Sequence, residues 1–329
     1  MTDTPVTIPD VADSRVEGGI YGLLIGDALG VPFEFKQPHE IPELSLIEMQ
    51  PPRGYRRSHG LVPPGTYSDD GAQALCLLAS LLHCGQLNLG DFADRLLRWF
   101  EHGYLAVDSK VFDVGMQTGR ALRLIRGGMS PELAGGRDER SNGNGSLMRV
   151  LPLALWHQGT DLELVHDAHR SSLPTHGHPR SQACCALYCL WARAVLVDAP
   201  RPYDAALEGL RAIYRATPAF QEQSHELLHH ILRAAPVTGS GYVVDALRSA
   251  LSVSSAGTYE EVVRRAIRLG NDTDTTAAIA GGIAGVRVGL GGIPERWRQQ
   301  LRGDELVRPL VDALVARTRS LREQRPGPS

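Results

Sequence analysis

Two short acidic clusters stand far apart in the chain, Ser68-Asp69-Asp70 and Asp272-Thr273-Asp274-Thr275, each running straight into a small-residue apolar stretch. Both offer hard oxygen ligands and no soft ones, a donor set that favours magnesium, manganese or calcium over zinc. Residues one or two apart do not share a helix face, so neither pair aims both carboxylates at one point from a helix interior; turns suit them better. In an extended segment Asp272 and Asp274 point to the same side, leaving Thr275 to start the next helix. If the clusters meet in the fold, four carboxylates repel one another strongly, and two divalent cations would neutralise that charge. The same residues also read as helix N-caps, because Ser, Thr and Asp satisfy free backbone N–H groups and suit the helix dipole. An EF-hand loop counted from Asp272 is excluded, since Ala277 and Ile283 stand where Gly and Glu are required.

Four other segments carry chemistry. Gly26-Asp27-Ala28-Leu29-Gly30-Val31-Pro32-Phe33-Glu34 ends an apolar helix and places a lone Glu beyond a Gly/Pro turn, so Glu34 is either an acid or base or plain solvated surface. Ser141-Asn142-Gly143-Asn144-Gly145-Ser146-Leu147-Met148-Arg149 is a polar Gly-rich loop feeding a helix, an arrangement able to hold phosphate or simply to start the helix. It lacks the ending of a Walker loop and the spacing of a dinucleotide fingerprint. Thr175-His176-Gly177-His178-Pro179 has two histidines without a third ligand, which points to ligand contact or helix entry rather than zinc. Asp113, just before Gly115, Gln117 and Thr118, is an N-cap or a site carboxylate.

The elements that must position these residues read as helices. Apolar periodicity recurs over Ala72–Leu82, Phe92–Phe100, Leu147–Trp156, Ser181–Leu196, Ala205–Tyr214, Ser224–Ala235 and Tyr259–Leu269, while alternating β-branched strands are scarce. An all-α, many-helix domain follows, punctuated by Gly and Pro. The run Thr275–Gly289 is too rich in small residues to be chosen for helix propensity, since each interior Gly costs about 1 kcal/mol relative to Ala; close approach of another backbone explains it, in a buried central helix. With 329 residues and 43% hydrophobic content the chain can bury a large core, read as one domain over residues 15–318 between tails at 1–14 and 319–329.

A net charge of -3 with interspersed signs gives no footprint for nucleic acid or an anionic membrane. No basic-apolar leader or membrane-length apolar run occurs, so a cytoplasmic location is expected, and a monomer is expected as well. Five cysteines without CxxC spacing read as buried, reduced thiols.

The set of motifs, in this order, resembles the ADP-ribosylglycohydrolases, the group that includes dinitrogenase-reductase-activating glycohydrolase and the ADP-ribosyl-arginine and ADP-ribosyl-serine hydrolases. The resemblance spans roughly residues 15 to 300. It implies a compact, mainly helical bundle with a dinuclear magnesium or manganese centre. Ser68, Asp69, Asp70, Asp272, Asp274 and Thr275 match the family's metal-ligand positions, with Ser68 where Thr is common. Glu34 matches a catalytic or substrate-gating Glu of the serine branch, and Asp113 a carboxylate near the ribose in the arginine branch. Asp113, Glu34, Asp69 and Asp272 are the catalytic expectation. Asn142, Gly143, Asn144, Gly145 and Ser146 match the diphosphate-proximal segment, and His176 is placed near the ligand. The implied reaction removes ADP-ribose from a modified protein, with arginine linkage first. Serine linkage, an ADP-ribose ester and a non-catalytic ADP-ribose binder are the alternatives.

Overall fold

The computed structural model describes residues 12–324, and among these the regular structure is helical, with two isolated β-bridges and no strand. Fifteen α-helices follow one another: α1 (Ala12–Gly30), α2 (Asp69–Cys84), α3 (Leu89–His102), α4 (Met116–Arg126), α5 (Pro131–Ala134), α6 (Leu151–Trp156), α7 (Asp161–Ser172), α8 (Pro179–Leu196), α9 (Pro202–Ala216), α10 (Gln221–Glu226), α11 (Val243–Val253), α12 (Tyr259–Arg268), α13 (Thr273–Val288), α14 (Glu295–Gln300) and α15 (Asp304–Glu323). Many boundaries are written in the sequence. Thr160 with Glu163 and Thr258 with Glu261 form reciprocal capping boxes at the starts of α7 and α12. Gly85 and Gly103, at φ 67° and 66°, close α2 and α3 in the left-handed region.

The centre of the molecule is the antiparallel pair α1 and α13. Gly18, Gly22, Gly26 and Gly30, one turn apart on α1, lie against Gly285, Gly281, Ala277 and Asp274 of α13; a Cβ on any of the four would fall within 3.0 Å of that backbone. The close approach read from the small residues of α13 is therefore real, and α1 supplies the matching stripe. α8 is buried along nearly its whole length between α7, α9, α11 and α13, and carries Cys184, Cys185 and Cys189. These thiols and Cys76 are buried, Cys84 is half-buried, and all five are free.

Several element readings need correction. The periodic run from Leu147 becomes α-helical only at Leu151, because Pro152 has no N–H to give to the preceding turn. The run over Ser224–Ala235 ends at Ile231, after a π-helical turn over Leu227–Ile231. The segment holding Asp272 and Asp274 is not extended: α13 starts at Thr273. The boundaries drawn at 14 and 318 cut through α1 and α15. Thr318 is buried, and Arg319 and Arg322 both pair with Asp13, which joins the first turn of α1 to the last turns of α15. Most of the 1–14 segment, and residues 325–329, lie outside the described residues. No described helix is long and apolar enough to cross a membrane.

Candidate active site

Antiparallel packing carries the C-terminal end of α1 to the N-terminal end of α13, and the residues of interest collect there. Thr273 Oγ1 donates to the Gly30 carbonyl at 2.8 Å, joining the two ends. Beyond α1 the chain turns so that Phe35 N–H donates to Asn271 O (2.6 Å) and Asn271 N–H to Lys36 O (2.7 Å). This two-way backbone pairing fixes Glu34 beside Asp272. Glu34 is 4% exposed, which rules out the solvated-surface reading. One carboxylate oxygen each from Glu34, Asp272 and Asp274 lies within 4.8 Å of the others, and Glu34 forms a second such group with His59 and Asp113. Its Oε2 sits 2.6 Å from His59 Nε2.

The second cluster is delivered by α2. Asp27, fully buried on α1, accepts the Ser68 and Gly71 N–H groups at 2.8 to 3.0 Å and so anchors the start of α2 to α1. Ser68 is the N-cap of α2 and accepts from the Asp70 N–H, so the capping reading holds there. At α13 it holds only by position. Asp272 occupies the cap without capping, and its carboxylate accepts from Asn144 Nδ2 at 2.8 Å instead. The clusters meet where Thr275 Oγ1 donates to Asp70 Oδ2 at 3.3 Å. Asp69 is held by Gln73 Nε2 at 2.8 Å. Asp113 does not cap α4, whose N-cap is Gly115; it turns toward Glu34 from a left-handed conformation at φ 56°. Phe35, His59 and Asn271 share that sparsely populated region, so strained backbone surrounds Glu34 on several sides.

Electrostatics sharpen the picture. Burial first, then the charges of Asp113 and Asp272, push the Glu34 carboxyl up to about 10. Burial likewise raises Asp69, Asp70, Asp113 and Asp274, with neighbouring carboxylates adding to the effect. Asp27 rises to about 7 by burial, opposed by its two backbone donors. Among the described residues, Asp70 Oδ1 and Asp274 Oδ2 are buried with no hydrogen-bond partner. Buried, unpartnered carboxylate oxygens among repelling carboxylates fit a hard cation, and the donor set of Ser68, Asp69, Asp70, Asp272, Asp274 and Thr275 contains only oxygen.

Beside them lies a cleft of about 1060 Å³, lined by Glu34, Asp69, Asp113, Asp272 and Thr275 and by Gly143, Asn144, Gly145 and His176. That volume suits a nucleotide-sized ligand. The Gly-rich loop does not lead directly into a helix start, since turns separate it from α6. Its orientation comes from tertiary pairing: Asn144 N–H donates to Gly241 O, and Val243 N–H to Asn142 O. Asn142 and Ser146 face inward. Asn142 bonds Glu139 O and Ser181, and Ser146 bonds Ser172. His176 borders the cleft, whereas His178 serves as the N-cap of α8, so the two readings of that dipeptide apply to one histidine each. His59 and Gln73 were not read from sequence, and Arg149 was read only as the end of the Gly-rich segment. His59 reaches Glu34 from a separate segment, whereas Gln73 stands one helical turn after Asp69 on α2, a spacing that could have marked it.

The sequence matches the model of the family described as ADP-ribosylglycohydrolase over residues 8–324. It is 27% identical over 322 residues to the ADP-ribosylarginine hydrolase Tri1 of Serratia proteamaculans, covering 95% of this chain and 82% of that protein. It is 29% identical over 321 residues to the ADP-ribosyl-dinitrogen reductase glycohydrolase of Rhodospirillum rubrum, covering 94% and 98%. Human ADP-ribosylhydrolase ARH3 is 26% identical over 351 residues, covering 92% and 93%. A solved structure described as an ADP-ribosylglycohydrolase-related protein complex superposes with a TM-score of 0.71 at 33% identity, covering 93% of this chain and 98% of the other.

Proposed function

The chain belongs to the ADP-ribosylglycohydrolase family, and from that premise we propose that it hydrolyses the bond joining ADP-ribose to a modified protein side chain, releasing ADP-ribose. The observation that carries this reading is Glu34, which is buried, lines the cleft and is shared by the Asp272–Asp274 and His59–Asp113 groups. Arginine is the preferred linkage. It is supported by the name of the Serratia proteamaculans relative and by the Asp113 setting. Serine linkage is the second reading, favoured by Glu34, which stands at the position of a catalytic or substrate-gating Glu in the serine-specific branch that the motifs resemble.

Ser68, Asp69, Asp70, Asp272, Asp274 and Thr275 would hold two magnesium or manganese ions. Bound there, such ions supply Lewis acidity toward the ribose hydroxyls and water. In the hydrolysis a water oxygen bonds to ribose C1″ as the C1″–N bond to the guanidine breaks, the electron pair leaving on nitrogen, which takes a proton. Asp113 stabilises the positive charge that develops on the ribose. Glu34 Oε2, in contact with His59 Nε2, holds a proton or passes it to that ring. Gly143, Asn144, Gly145 and His176 form the wall for the diphosphate, and Asn144 also orients Asp272.

The test is release of ADP-ribose from arginine- and serine-linked substrates, assayed in parallel with magnesium, manganese or chelator. Chelator-sensitive release from the arginine linkage is expected. Release from the serine linkage alone would replace the arginine assignment, and ADP-ribose binding without release from either would make the protein a binder.

A further inference from the structure

Arg149 is 1% exposed, yet its guanidinium meets neutral groups rather than a carboxylate: Nη1 donates to Gln73 Oε1 and Nη2 to Thr175 Oγ1, each at 2.7 Å. A buried charge is costly unless hydrogen-bonded, and a guanidinium can only donate. Both arms therefore acquire a direction. Gln73, with its oxygen turned to Arg149, presents its amide N–H to Asp69. Thr175 Oγ1, which accepts from Arg149, lies 2.7 Å from His176 Nδ1, so the hydroxyl has its proton to offer to that nitrogen. Burial first, and the Arg149 charge second, push His176 down to about 3, so its ring is neutral near pH 7. A neutral imidazole that accepts at Nδ1 carries its proton on Nε2. That edge faces the cleft wall, where a Cβ on Gly143 or Gly145 would lie 3.4 or 3.2 Å from Nε2.

We propose that Arg149 and Thr175 are positioning residues that lock His176 in its Nε2–H tautomer, giving the cleft wall a fixed hydrogen-bond donor for an anionic ligand group such as a diphosphate. The ligand half of this inference rests on the function proposed above; the tautomer half does not. Without the relay, His176 would divide between tautomers, and one of them would turn a lone pair toward the anion. The same guanidinium directs the Gln73 amide toward Asp69, so the two sides of the cleft share one buried source of polarity.

Long-range proton–nitrogen correlation spectra of the 15N-labelled full chain, with the His176 signals identified by their loss in His176→Gln, read the tautomer directly. The wild type is expected to show a protonated Nε2 and an unprotonated Nδ1. Thr175→Val removes the hydroxyl at nearly constant shape; it is expected to abolish this pure tautomer and to weaken ADP-ribose binding roughly tenfold by calorimetry, as for loss of one directed hydrogen bond. Thr175→Ser is expected to restore both. A protonated Nδ1 in the wild type, or an unchanged spectrum and affinity in Thr175→Val, would overturn the proposal. A wild type that binds no ADP-ribose would defeat the ligand half and the proposed function, while the spectrum would still decide the tautomer.

Discussion

Asp272 shows how one residue type serves two ends. Its position is a helix cap, but its carboxylate is withheld from the helix and directed to Asn144 and the Glu34 group. Ser68 does cap, and it stands next to Asp70, whose Oδ2 accepts from Thr275 of the other cluster. Asp69→Ala or Asp272→Ala is expected to abolish turnover while circular dichroism stays native; undiminished turnover in metal-replete buffer would remove these residues from the mechanism. Glu34→Gln, which keeps the shape and a hydrogen bond to His59, is expected to lower kcat about 10²–10⁴-fold, the range for a general acid or base. A drop of only a few fold would leave Glu34 a structural role. Gly145 has its own residue-level reason: a Cβ there would meet the His176 ring at 2.8 Å.

At the scale of elements, the α1–α13 contact decides where the site is. Glycines spaced one turn apart let two backbones touch, and the antiparallel sense delivers Glu34 to Asp272 and Asp274. Gly22→Ala is expected to destabilise by about 1–3 kcal/mol, because the overpacked backbone contact outweighs the helix-propensity gain. Gly209→Ala on α9 has nothing within 4 Å of its new Cβ and is expected to stabilise by about 0.5–1 kcal/mol. Urea denaturation of both variants checks the contrast, and a Gly22→Ala variant as stable as or more stable than the wild type would mean that the α1–α13 contact tolerates a methyl group. The apolar periodicity of α2, α3, α8, α9 and α12 was readable because those helices bury one stripe or all sides. The start of α6 and the end of α10 were obscured by Pro152 and the π turn, which apolar spacing does not report.

Across the whole molecule, burial sets two opposing pH dependences. Glu34, Asp69, Asp70, Asp113 and Asp274 are raised. Their stability contribution is complete below the unfolded carboxyl pKa of about 4 and is lost as pH rises through the folded values. A divalent cation held by these carboxylates would relieve that loss. His157, His169 and His176 are depressed by burial to about 4, 3 and 3, so their contribution is present above about pH 6.5 and lost as pH falls toward those values. The histidine effect is common to cation-free and cation-loaded protein. Saturating magnesium is thus expected to raise Tm by more at about pH 8 than at about pH 5, where protons compete for the carboxylates. Equal increments in scanning fluorimetry would argue against a cation at these residues.

The chain by itself determined the helical class, the small-residue stripe of α13 and the two acidic clusters, because periodicity, residue size and ligand chemistry are local properties. It also singled out Glu34 and Asp113 as residues with two readings each. Only the tertiary structure chose between them, burying Glu34 and freeing Asp113 from α4. It likewise turned Asn142 and Ser146 inward and brought His59, Gln73 and Arg149 to the site. Burial and a partner's donor or acceptor character depend on segments that meet only in the fold, such as Glu34 with His59 or Gln73 with Arg149, and the meeting of helix ends joins Thr273 to Gly30 across 243 residues. No local spacing encodes them.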